Sequence, residues 1–183
     1  MAVTGPLHLG ADDFALFDLP RAFALNPTDL DARWRGLQAR VHPDRFAAEG
    51  GAAQRVAMQW SVRVNEAYRR LKDPIARGAY LCELAGVSID AERNTAMPTA
   101  FLMQQMQWRE ALEEARTAGE VSELEARVRA ESQVMQAQLA VLIDGQPDSA
   151  PDLQAAAQQI RALMFVQRFL QDIARRADVL DQA

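Results

Sequence analysis

Histidine, proline and aspartate stand side by side at His42, Pro43 and Asp44, inside "QARVHPDRFAA", a stretch otherwise made of helix formers and flanked by arginines. An imidazole and a carboxylate two residues apart can share a proton, orient one another or present a charged pair to a partner. Proline disfavours the α conformation of the residue before it, so Pro43 ends the upstream helix near Val41 and takes His42 out of helix. Catalysis finds little support around the tripeptide: no serine or cysteine nucleophile is near in sequence, and the other histidine, His8, lies in the N-terminal segment. A histidine-based metal site lacks partners for the same reason. The expectation is a protein that is not an enzyme, with no catalytic residue, no metal and no cofactor. Two readings of the tripeptide stay open, a helix stop followed by an Asp N-cap, or an exposed working end.

Cations gather around it, with Arg33 and Arg40 on the preceding helix and Arg45 just after. The single cysteine, Cys82, excludes an internal disulfide and a thiolate cluster, and its apolar surroundings point to a buried thiol. Further on, Phe101, Trp108 and Leu112 share one helix face. Leu102, Met103 and Met106 form a second apolar patch on the same helix, with Glu110 and Glu114 beyond it. That patch is either a wider buried stripe or a partner site made adaptable by methionine.

Helical periodicity dominates the elements that must carry these groups. "DDFALFDLP" is a short first helix closed by Pro20. In "NPTDLDARWRGLQARV", with Thr28 expected as N-cap, Leu30, Trp34, Leu37 and Val41 make one buried stripe. After the loop "AAEGGAA", Val56, Trp60, Val64, Ala67 and Leu71 continue at helical steps until "KDP". These two helices should pack as an antiparallel hairpin with the tripeptide at its tip. Residues 75–84 form another helix, and three more, near 99–117, 121–143 and 151–178, suit a small antiparallel bundle. The fold class expected is all-α, divided as 12–84, a linker at 85–98, and 99–180.

The chain's 183 residues are 49% apolar, enough for a proper core, and carry a net charge of -5, which argues against a nucleic-acid partner. Apolar runs are too short to span a membrane, and "MAVTGPLHLGADD" lacks both the basic and the apolar part of a signal peptide. A cytoplasmic protein without membrane contact is expected.

"VHPDRF" between two helices, followed by "NEAYRRLKDPIARGAYL", resembles the J domain of DnaJ-type co-chaperones. More narrowly, "DDFALFDLP", "ARGAYLCELAG" and "TAFLMQQMQWREALEEA" resemble the HscB family, the J-proteins of bacterial iron-sulfur cluster assembly, over about residues 12–178. The resemblance implies an N-terminal J domain and a C-terminal three-helix bundle. It implies that His42, Pro43 and Asp44, with Arg33, Arg40 and Arg45 as the basic surface, dock on an HscA-like chaperone of the DnaK family and stimulate its ATP hydrolysis. It also implies that Leu102, Met103, Met106, Gln107, Glu110 and Glu114, joined by Phe165 from the last helix, bind an IscU-like scaffold. Three positions depart from the family pattern: Val41 replaces an aromatic residue, Arg45 a lysine and Gln107 an acid. The Cys-x-x-Cys pairs of some eukaryotic relatives are absent. The alternatives are a general J-protein with a different client, and a purely structural helical adaptor.

Overall fold

The computed structural model describes residues 10–90, 97–146 and 150–182. His8, residues 91–96 of the expected linker and residues 147–149 lie outside the described residues. Two compact units divide between Leu81 and Cys82. The first contains α1 (Asp13–Leu16), α2 (Pro27–Val41), a 3-10 helix (Pro43–Glu49), α3 (Gly51–Lys72) and α4 (Pro74–Leu84), the last of which runs across the division. The second contains α5 (Thr99–Glu114), α6 (Ala118–Asp144) and α7 (Leu153–Asp181). The class is all-α, as the periodicity required.

Asn26, not Thr28, starts α2: its side-chain oxygen accepts the N–H groups of Thr28 at 2.9 Å and Asp29 at 3.3 Å. Pro27 occupies the first helical position, where a missing N–H costs nothing. Leu30, Leu37 and Val41 of α2 are buried, as are Ala57, Val64, Ala67 and Leu71 of α3. Val56, expected on that stripe, is 52% exposed. Each step of four overruns a helical turn by about 40°, and two in succession, from Val64 back through Trp60, carry Val56 off the buried face. The expected loop before α3 is divided between the end of the 3-10 helix and the first turn of α3, with Gly50 between them.

A polar ladder locks α2 to α3. Asp31 accepts from Tyr68 at 3.0 Å and from Lys72 at 2.5 Å. Asn65 Oδ1 accepts both Trp34 Nε1 at 3.0 Å and Gln38 Nε2 at 2.5 Å, and Ser61 donates to Gln38 Oε1 at 3.2 Å. Residue numbers rise along α2 as their partners' fall along α3, so the pair is antiparallel and its connection forms a tip. Trp34 stacks on Tyr68 with ring centroids 4.5 Å apart.

Asp13 is fully buried. Its Oδ2 accepts from Arg70 at 2.9 Å, and its Oδ1 lies 2.6 Å from Arg63 Nη2, which also donates to the Ala11 carbonyl at 3.0 Å. The Asp13 N–H donates to Tyr80 Oη at 3.1 Å, and Arg70 lies 4.7 Å from the centre of the Tyr80 ring. One carboxylate thus ties α1 to α3, and its backbone ties it to α4.

In the second unit α6 packs chiefly on α7. Val121, Leu124, Val128 and Leu139 meet a core that includes Ala156, Ile160, Leu163 and Ile173. Cys82 is buried, and burial pushes its thiol up, with Glu83 adding to the effect, so the reactive thiolate is disfavoured. Several helix ends differ from expectation. α5 stops at Glu114, and α7 runs from Leu153 to Asp181, capped by Asp152 on the Ala155 N–H at 2.9 Å. α6 begins three residues early because Thr117 and Glu120 form a capping box. The Glu120 carboxylate accepts the N–H groups of Arg116 at 2.7 Å and Thr117 at 3.0 Å, which hold its carboxyl below the usual range.

Asp13→Ala leaves two cations facing an empty carboxylate site and should cost about 2–3 kcal/mol in urea unfolding monitored by circular dichroism, less than a fully buried pair because Arg70 stays 43% exposed. Hydrogen bonds from Lys72 and Tyr68 lower the Asp31 carboxyl below its ordinary range. The unfolded chain therefore binds that proton first, and the stabilisation is complete above the ordinary aspartate range and lost as pH falls through the lowered value. Acid melting curves should fall more steeply with decreasing pH for the native chain than for Asp31→Asn, which has no carboxylate to titrate there.

Candidate functional site

Val41 is the last residue of α2, and His42 turns extended at φ -63°, ψ 128°. Asp44 is not the cap of the 3-10 helix. The His42 ring is, its Nδ1 accepting the Asp44 N–H at 3.4 Å while its carbonyl accepts the Arg45 N–H at 3.1 Å. The imidazole Nδ1 also lies 3.5 Å from Asp44 Oδ2, an ion pair when the ring is protonated. This leaves the Asp44 side chain 89% exposed and the His42 side chain 56% exposed. Pro43 fixes φ between them, so the loop presents a carboxylate with little conformational freedom left to lose.

The three arginines separate. Arg33 is turned inward: its guanidinium pairs with Asp29 at 3.0 Å and donates to the Phe17 and Asp18 carbonyls at 2.9 and 2.7 Å, with its side chain only 20% exposed. It holds the turn after α1, where Asp18 has φ 54°. Arg45 is exposed but donates to the Ala39 carbonyl at 3.0 Å, so its cation sits on the C-terminal turn of α2, where the helix dipole favours it. Arg40 is exposed beside the tripeptide. His42, Asp44, Arg40 and Arg45 are brought together at the tip, and Arg33 is not.

Sequence reasoning missed an open cavity of about 510 Å³ beneath the loop, lined by Arg40, Val41, Phe46, Val56 and Trp60 among others. The one signal for it was Val56, an apolar residue that falls off the buried stripe. Among the described residues no group of three or more His, Cys, Asp or Glu side chains is placed to hold a metal ion.

On α5, Trp108 is buried and Phe101 half-buried, while Leu102, Met103 and Met106 are 43%, 59% and 70% exposed. The two apolar faces are therefore distinct, and the second is not part of the core. Gln107, Glu110 and Glu114 are exposed and continue the same line, each reached from the patch by steps of three or four. Phe165 of α7 is half-buried in an aromatic cluster, edge-on to Phe101 at 5.9 Å and stacked with Phe169 at 6.1 Å, with Arg109 5.5 Å from its ring centre. Phe169 in turn stacks on Trp108 at 6.0 Å. These rings fix α5 on α7, and an exposed methionine surface rides on a rigid base.

Residues 97–174 match the family model described as the HSCB C-terminal oligomerisation domain. The chain is 49% identical over 171 residues to the co-chaperone protein HscB homolog of Burkholderia cenocepacia, covering 92% of this chain and 95% of that one. It is 50% identical over 168 residues to the homolog of Bordetella petrii, covering 91% and 96%. Among solved structures, chaperone HscB from Vibrio cholerae superposes with a TM-score of 0.78 at 33% identity, covering 93% of this chain and 99% of that one. Human co-chaperone protein HscB superposes with a TM-score of 0.84 at 26% identity, covering 94% and 85%. Identity of about half, carried over more than nine-tenths of both chains in the Burkholderia cenocepacia and Bordetella petrii comparisons, means that the chain belongs to the HscB co-chaperone family.

Proposed function

We propose that this co-chaperone binds an IscU-like iron-sulfur scaffold, brings it to an HscA-like chaperone of the DnaK family and stimulates that chaperone's ATP hydrolysis. On this reading residues 12–84 are the J domain, 85–98 the linker and 99–180 the scaffold-binding bundle, and the protein works in the cytoplasm. The observation that carries it is the tripeptide at the tip of the α2–α3 hairpin: His42 caps the turn, Pro43 stiffens it, and Asp44 is left outward. A carboxylate held this way can accept charge-assisted bonds from a partner cation, while Arg40 and Arg45 steer an acidic surface towards it. The hydrolytic chemistry belongs to the chaperone. This chain biases the chaperone towards its competent state and, by holding the scaffold, raises the scaffold's local concentration.

Arg33 has a structural part in this scheme, since its guanidinium is occupied between α1 and α2. The scaffold surface is Leu102, Met103, Met106, Gln107, Glu110 and Glu114, with Phe165 bracing it through Phe101. An exposed apolar patch without a role in the core favours a protein client, and its flanking acids favour a client with basic residues nearby.

His42→Gln and Asp44→Asn should each lower stimulation of single-turnover ATP hydrolysis by on the order of tenfold or more, about the value of one charge-assisted hydrogen bond, with an unchanged circular dichroism spectrum. Unchanged stimulation would return the tripeptide to the status of a helix stop. Leu102→Ala combined with Met106→Ala should weaken calorimetric binding of the scaffold by roughly thirtyfold to a hundredfold or more, since two apolar contacts of roughly 1–1.5 kcal/mol each are truncated. Intact scaffold binding in that variant, with ATPase stimulation retained, would favour a general J-protein serving another client.

A further inference from the structure

The second unit holds a cavity that neither the tripeptide nor the α5 patch uses. It has a volume of about 300 Å³ and opens between the start of α5, the middle of α6 and the first half of α7, wholly within that unit. Phe101, Met135 and Ala162 give it an apolar wall, with Met135 and Ala162 both buried. The rest of its lining is mostly polar: four carboxamides, Gln104, Gln138, Gln158 and Gln159, and one carboxylate, Glu131. No lysine, arginine or histidine lines it.

Hydrogen bonds within the lining fix which atoms accept. Gln159 Nε2 donates to the Met135 carbonyl at 3.2 Å and to Gln138 Oε1 at 3.1 Å. A carbonyl only accepts, so this end of the Gln159 amide is its NH2 group, with both hydrogens engaged, and its other end, Oε1, is an acceptor. Glu131 is exposed and, among the described residues, enters no ion pair. Its ionised carboxylate offers acceptor sites alone. The polar side of the cavity is therefore anionic and rich in acceptors, and it suits a cation with several N–H donors and a short apolar stem. A guanidinium meets this better than an ammonium. It is planar, spreads five donors over a fork that spans two acceptors, sheds water more readily and packs on aromatic rings such as Phe101. The volume stands at the low end for ligand sites, which limits the occupant to one such group on a short alkyl chain.

We propose that this cavity binds an alkylguanidinium group, with Glu131 pairing its charge, Gln159 Oε1 accepting a further N–H, and Phe101 and Met135 covering its stem. Two sources share that chemistry, a free alkylguanidine and an arginine side chain of a protein. Gln104 adjoins Met103 in α5, and Gln107 follows it one turn on, so the cavity borders the α5 patch and the second source is a client seated there. Only that second source rests on the scaffold reading.

Butylguanidine is the probe, titrated into the isotope-labelled full chain and followed through glutamine side-chain NH2 resonances. Those of Gln104, Gln138, Gln158 and Gln159 should shift saturably, with a dissociation constant on the order of 1 mM for so small a ligand, while that of Gln167, exposed elsewhere on α7, stays still. Butylamine, an ammonium on the same stem, should bind at least several-fold more weakly. Glu131→Gln removes the one charge and should weaken butylguanidine binding several-fold. Ala100→Met, at an exposed position in the lining, takes up the space and should weaken it at least as much, with circular dichroism unchanged in both variants. Absence of saturable shifts up to about 20 mM probe, native affinity in Glu131→Gln, or equal binding of butylamine would each overturn the proposal. Displacement of butylguanidine by the IscU-like scaffold would assign the arginine source, and undiminished binding beside bound scaffold the free alkylguanidine. A scaffold that fails to bind at all counts against the function proposed above and leaves the butylguanidine result standing, so the two failures are distinct.

Discussion

One amide oxygen sets the geometry on which the tip of the α2–α3 hairpin depends. Asn65 Oδ1 accepts N–H groups from both Trp34 and Gln38, filling its two acceptor sites from two successive turns of α2. An apolar stripe by itself tolerates sliding by a turn, because one leucine replaces another at little cost. A half-buried amide with two defined donors does not, since a slip would leave the donors or the acceptor unpaired. With the register held there, and again where Asp31 meets Tyr68 and Lys72, the residues between the helices are carried to the tip. Pro43 then needs only to turn the chain, and His42 to cap the 3-10 helix.

The two candidate surfaces work by different physics. The tip is charged and exposed, with one outward carboxylate and cations beside it. The α5 surface is apolar and rests on an aromatic base in which Phe101, Trp108, Phe165 and Phe169 interlock. They stand on two compact units, each with its own buried core.

Much of the fold and of the tip is legible in the residues alone. The helix break at His42, the apolar stripe of α2 and the presence of a second apolar patch on α5 all come from proline sterics and from a period of 3.6. Errors arose where a local rule had two candidates. Asn26 and Thr28 are both good N-caps, and the proline between them decided for Asn26 because it fits the first helical position. Val56 satisfied a step-of-four pattern that drifts off the buried face over two repeats. The bonds of Arg33 to the turn after α1 were also out of reach, because nothing local says that this turn folds back on it.

What the amino-acid sequence determined by itself is whatever depends on neighbours within a few turns: seven helices among the described residues, their approximate limits, the break at the tripeptide and the sorting of apolar from polar faces. What only the tertiary structure decided is which polar groups are committed. Arg33 is spent on the Phe17 and Asp18 carbonyls, Asp13 on Arg63 and Arg70, Asn65 on Trp34 and Gln38, while Asp44 is left outward. The physical reason is that a long polar side chain is satisfied equally well by water or by a buried partner. The choice between them rests on atoms 15 to 57 residues away along the chain, whose positions exist only once the helices have packed.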